Sequence, residues 1–139
     1  MRQILIFVSV CFCLLACKKE TTNPSAQSAP SALFGKWELR NAYGGPAGQP
    51  TVFQPGNGDI YLFNSDGTYA YFLNGVQVGS GTFRYEKNGY DAGNGIKYDE
   101  IFFGNGSPGE ILILNGTQLT IRGPLALNPE TVYAKVADQ

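Results

Sequence analysis

The groups that catalyse most reactions at neutral pH are nearly missing from this chain. It has no histidine, which removes the commonest general base, a Ser-His-Asp triad and imidazole metal ligands. All three cysteines, Cys11, Cys13 and Cys17, lie near the N-terminus. A glycosidase needs two facing carboxylates about 5–10 Å apart. The only acidic doublet, Asp99-Glu100, sits in a strand-like run, where adjacent side chains point to opposite faces. Glu38, Asp59, Glu86 and Glu110 are scattered and read as solvated strand ends. Asp91-Ala92-Gly93-Asn94-Gly95 has part of a calcium loop but lacks its alternating acids and closing bidentate Glu; it reads as a turn. No Gly-rich phosphate loop follows a strand and opens a helix. The expectation is a protein that is not an enzyme, with no cofactor and no metal site.

The chemistry that the sequence does offer sits at Cys17. Met1-Arg2 is a short positive head, and Ile4–Ala16 is apolar apart from Ser9. That run has the length of a secretory signal and is too short to cross a bilayer. It stops at Leu14-Leu15-Ala16-Cys17 and turns at once into Lys18-Lys19-Glu20. This quartet resembles the lipobox of bacterial lipoproteins. The resemblance implies a signal peptide over 1–16, cleavage before Cys17, and lipidation of the Cys17 thiol and the new N-terminus. It implies a membrane-anchored place in the bacterial cell envelope: outer membrane, periplasmic face or cell surface. Each buried methylene contributes about 0.8 kcal/mol, so two or three acyl chains hold where one slips. Cys11 and Cys13 would leave with the signal, so no disulfide or free thiol would remain. Thr21–Ser31, TTNPSAQSAPS, has neither charge nor apolar period and reads as a flexible linker. Residues 17–32 are therefore anchor and linker. The signal holds one of the ten basic residues, leaving nine against eleven acidic ones, net −2. That argues against nucleic acid as a partner.

Residues 33–139 read as one all-β domain. Helical periodicity is absent, and aromatic and β-branched runs alternate with Gly, Asn, Asp and Pro. Eight strands are expected: Gly35–Arg40, Asp59–Asn64, Thr68–Leu73, Val76–Lys87, Ile96–Phe103, Glu110–Leu114, Gln118–Arg122 and Thr131–Ala137. Asn74-Gly75 and Asn115-Gly116 suit two-residue type I′ hairpins, whose central residues both need positive φ. Asn64–Gly67 suits a longer turn. Two connections are looser: the Gly/Pro-rich Asn41–Gly58 and the shorter Asn88–Gly95. All eight prolines fall outside the strands. Consecutive hairpins make a meander, and an eight-stranded meander most simply closes into an antiparallel up-and-down barrel, which removes its edges.

Gly35-Lys36-Trp37, Phe63-x-x-Asp66-Gly67-Thr68-Tyr69, Gly81-Thr82-Phe83, Leu119-x-Ile121 and Tyr133-x-Lys135 occur in this order. Over most of Leu33–Ala137 they resemble small bacterial lipocalin-like lipoproteins. The resemblance implies a lipocalin-like barrel that holds one small hydrophobic ligand. It also implies that a basic residue near the chain end, here Lys135, covers the strand-one tryptophan, here Trp37, and closes that barrel end.

Alternation puts Trp37, Leu39, Tyr61, Phe63, Tyr69, Tyr71, Phe83, Tyr85, Ile101, Phe103, Leu119 and Ile121 inside. Tyr61, Phe63, Tyr69, Tyr71, Phe83, Tyr85 and Phe103 are the candidate ligand contacts: rings for an apolar body, hydroxyls for a polar head. The partner expected first is a lipid or other hydrophobic small molecule, with Asn41–Gly58 as a lid. The alternative is a filled barrel that binds an envelope protein or glycan through an outer patch of Phe53, Phe72 and Phe102.

Overall fold

The computed structural model describes residues 29–44, 49–106, 108–124 and 129–137. The expected signal, Cys17 and most of the expected linker lie outside them. A 3-10 turn, Ser31–Leu33, precedes β1 (Gly35–Tyr43), β2 (Thr51–Val52), β3 (Ile60–Phe63), β4 (Thr68–Leu73), β5 (Val76–Gly93), β6 (Ile96–Phe103), β7 (Glu110–Asn115), β8 (Gln118–Arg122) and β9 (Glu130–Val136). Neighbours pair antiparallel in the order β2-β1-β3-β4-β5-β6-β7-β8-β9, and β1 also pairs with β9. The eight long strands are thus a closed up-and-down barrel, as the meander predicts. β2 adds two residues beyond β3 on the same edge of β1. Among the described residues the buried core cluster runs from Leu33 to Tyr133.

An up-and-down order sends alternate connections to opposite ends. The plug end carries the chain start, the turns after β3, β5 and β7, and the end of β9. Among the described residues the loop end carries 44 and 49–59, the Asn74-Gly75 turn, 104–106 with 108–109, and 123–124 with 129. Asn74 and Gly75 both have positive φ, as their type I′ turn requires. The expected type I′ turn at Asn115-Gly116 is corrected. Asn115 pairs with Gln118, so the loop is Gly116-Thr117, and only Gly116 has positive φ, the signature of a II′ turn. The Asn88–Gly95 connection also differs. β5 runs on to Gly93, with register shifts between Glu86 and Tyr90 and between Asp91 and Gly93. The true turn is Asn94-Gly95, both at positive φ. Glycine-rich composition reads as a loop, but bulges let the ladder absorb it.

β5 changes partner halfway. Val76–Thr82 pair with β4 and Phe83–Gly93 with β6, so no β5 residue has strand partners on both sides. Two bonds stitch the corner, Phe83 N–H to Gly67 O and Gly104 N–H to Thr82 O.

Alternation sorts the side chains as expected. Trp37, Leu39, Phe63, Phe83, Tyr85, Ile101, Leu119 and Ile121 are buried in one cluster, joined by Leu33, Leu112 and Tyr133. Tyr61, Tyr69 and Phe103 pack against it. Leu33 plugs one end: it is 0% exposed, and Trp37 Nε1 donates to its carbonyl at 2.7 Å. Lys135 Nζ donates to Ala32 O at 2.6 Å and lies 5.1 Å from the Trp37 ring centroid, within cation–π range. Ala29, inside the expected linker, already packs on this core.

The expectation for Glu38 fails. It is 4% exposed, on the outer face of β1. Its carboxylate pairs with Arg40 at 2.7 Å and accepts the Gly56 and Gly58 N–H groups at 3.1 and 3.3 Å. Asn57 Nδ2 donates to Leu39 O, and Phe53 N–H to Arg40 O. Thus 53–58 is clamped to β1, and this part of Asn41–Gly58 is no swinging lid. Asp59 is not a free strand end either: its Oδ1 accepts the Asn74 N–H at 2.8 Å. Glu86 pairs with Arg84.

Gly58 sits where that clamp meets the next turn. It has φ +78°, its carbonyl accepts the Gly75 N–H, and a Cβ there would meet Gly75 N at 2.5 Å. Gly58→Ala is expected to cost about 1–3 kcal/mol through strain alone. Chemical denaturation checks this; an unchanged midpoint would mean the approach is not tight.

Candidate functional site

The barrel interior has two halves of different character. Toward the plug end it is solid: Leu33, Trp37, Ile101 and Leu119 are 0% exposed, and Phe63, Phe83 and Leu112 are 1% exposed. Phe63 and Phe83 meet edge to face at 5.3 Å. Tyr85 is buried too, and its hydroxyl is spent on Asp99 Oδ2 at 2.6 Å. Three of the seven expected ligand contacts are therefore core, out of reach of an entering molecule. Alternation alone could not tell them from the rest, because it reports the face and not the depth.

Toward the loop end, rings converge on Tyr61. Its centroid lies 4.6 Å from that of Tyr71, 5.5 Å from those of Phe103 and Tyr133, and 6.2 Å from that of Tyr69. Tyr61, Tyr69, Tyr71 and Phe103 are half-buried rather than sealed. The register explains how they fit. Tyr69 and Tyr71 stand opposite Gly81 and Gly79, and a Cβ on Gly81 would come within 3.1 Å of the Tyr69 ring. β5 thus gives up inward side chains where β4 places its rings. These four expected contacts are brought together.

Tyr133, whose hydroxyl the sequence places on the same side as those of Tyr61, Tyr69, Tyr71 and Tyr85, and Glu110 complete the group, though neither is among the seven expected contacts. Glu110, expected to be a solvated strand end, is half-buried. It shares the inward face of β7 with Leu112 and stands opposite Ile101. The alternation Glu110-x-Leu112-x-Leu114 was the signal that could have found it. Burial raises the Glu110 carboxyl above the usual range. Burial, with the Tyr133 and Glu110 charges behind it, pushes the Tyr61 hydroxyl far up. Burial first, with charges including that of Glu110, takes Tyr133 to about 12. Tyr71 is raised by burial and then by Asp59. At neutral pH these hydroxyls stay protonated and serve as donors and acceptors. A rim notch of about 290 Å³, lined by Pro108, Gly109, Glu110, Gly123, Pro124 and Pro129, opens beside Glu110.

Among the described residues no three acids or other ligating side chains gather to hold a metal. Asp91 caps its own turn through the Gly93 N–H. Asp99 lies on the inward face of β6 with Ile101, and Glu100 on the outer face near Gly109 and Gly89. Two of the three residues expected in an outer phenylalanine patch are engaged elsewhere: Phe53 packs against the core and Phe102 lies 3.6 Å beneath the Arg84 guanidinium, while Phe72 is half-buried. Set against known proteins, the chain matches no family model, no curated protein and no solved structure.

Proposed function

We propose that this is a lipid-anchored protein of the bacterial envelope, lipocalin-like in its barrel, that binds a small hydrophobic or amphipathic molecule at the loop end. The observation that carries the binding reading is the Tyr61 cluster. Five rings and a half-buried carboxyl converge at the end where the longer connections lie, while the opposite half is solid side chain. Stacked rings give an apolar body a surface, and tyrosine hydroxyls orient a polar head. The anchor reading rests on Leu14–Cys17, and the lipocalin reading on Gly35-x-Trp37 with Lys135 over the indole.

Native mass spectrometry of residues 25–139, after incubation with a lipid extract of the producing cell, tests the binding. The expected result is a discrete adduct that Tyr71→Ala weakens at least tenfold. A clean apo mass under mild conditions would overturn the reading. It would favour a filled barrel working through its surface. One observation supports that second reading: Val76 and Val78 are 65% and 54% exposed, on the half of β5 that has no strand partner on its second edge among the described residues. An open edge can add a partner's strand.

A further inference from the structure

We propose that Glu110, with the Tyr61 and Tyr133 rings beside it, is a recognition point for a protonated or quaternary amine. The ligand class becomes a cationic amphipath: an ammonium head at Glu110 and an apolar body on the Tyr61–Tyr71 rings. This rests on the loop-end binding reading above.

Three independent features point there. First, Glu110 is inward-facing and half-buried, yet among the described residues it has no hydrogen bond and no ion pair. Burying a carboxylate without a partner is costly. The other acids on inward faces differ: Asp59 has Asn74, and Asp99 has Tyr85 and Asn88; Glu100, half-buried and also without a hydrogen bond or ion pair among the described residues, faces outward. A site that leaves one acid unmatched gains most from a ligand that brings the opposite charge.

Second, the surroundings suit a cation and not an anion. Tyrosine ring faces attract cations, more strongly once water is excluded. Among the described residues no Lys or Arg lines the notch beside Glu110, and Arg122, next to the notch-lining Gly123, is turned to the Tyr98 ring and Glu130. Arg40 and Arg84 are engaged elsewhere, with Glu38 and Glu86, and Lys135 is at the opposite end, on Ala32 O. Third, there is a way in. The notch of about 290 Å³ reaches Glu110 between Pro108, Pro124 and Pro129, and proline rings offer apolar walls without competing N–H donors.

Isothermal titration of residues 25–139 with decyltrimethylammonium, decanol and decyl sulfate, each below its self-association concentration, separates the outcomes. The cation is expected to bind at least tenfold tighter than decanol, with the sulfate weakest. That comparison uses the unmodified barrel and needs no variant. Glu110→Gln, neutral and nearly isosteric, should bring the cation to within about threefold of decanol and leave decanol unchanged. If decanol binds and the cation is no tighter, or if the cation's advantage survives Glu110→Gln, the amine site is wrong and the loop-end reading stands. If none of the three binds, both fall.

Discussion

Trp37→Ala is expected to cost about 3–5 kcal/mol, the range for deleting a fully buried large aromatic side chain. Three losses combine. The indole is 0% exposed and meets the Leu33 plug, so removal leaves a cavity that β1, paired on both edges, cannot collapse to fill. The Leu33 carbonyl loses its donor, and an unmet buried acceptor costs about 1–3 kcal/mol within that total. Lys135 loses the ring 5.1 Å beneath it. Against a typical total of about 5–15 kcal/mol, the barrel should melt about 12–40 °C lower, at about 4–8 °C per kcal/mol for a domain of this size. Trp37→Phe separates the terms, because it keeps a ring and loses only the donor and some volume; it should fall between. Equal melting of Trp37→Ala and the parent barrel would mean that the plug end is not the core it looks to be.

Glu38→Ala is the second large effect, at about 3 kcal/mol. Removing one partner of a buried ion pair costs about 3–5 kcal/mol because the other charge is stranded. Arg40 keeps 21% side-chain exposure and can turn partly to water, which places the loss at the low end. The Gly56 and Gly58 N–H groups are also orphaned, so 53–58 should detach from β1 and its amides should exchange faster with solvent. The sign with pH follows from the carboxyl. Burial alone would raise it, but the Gly56 N–H, Arg40 and the Gly58 N–H outweigh burial and hold it below its ordinary value. A group with a lowered folded pKa stabilises above its unfolded value and loses that contribution as pH falls through the folded one. The clamp should therefore be complete at neutral pH and weaken below about pH 4.5. Glu38→Ala should flatten that part of the acid unfolding curve. Acid curves of equal steepness would assign the clamp to the backbone contacts instead.

What the sequence made legible follows from local rules. The Asn64–Gly67 turn and period-two alternation placed Tyr61 and Phe63 across from Tyr69 and Tyr71, and the strand order did the rest. The Trp37–Lys135 contact was implied by the resemblance alone, and the direct register between their paired strands is its physical reason. Three features were not legible. Glu38 looked like any outward strand residue, because its burial comes from a loop some eighteen residues on. The switch of β5 at Phe83 is a property of the closed barrel and leaves no local mark. The division of the interior into a solid half and an aromatic mouth depends on the Leu33 plug, an apolar residue directly after the stretch read as linker, ahead of the first expected strand. Depth within a barrel is a three-dimensional quantity, and alternation encodes only which face a side chain takes.

The central claim is that a ligand meets the Tyr61 end and not the Trp37 end. Two-dimensional NMR of residues 25–139, titrated with decyltrimethylammonium, addresses it most directly. Shifts concentrated at Tyr61, Tyr69, Tyr71, Phe103, Glu110 and Tyr133, with Leu33, Trp37 and Leu119 unmoved, are the predicted result. Shifts centred on Trp37, or confined to the outer faces around Phe102 and Val78, would contradict it.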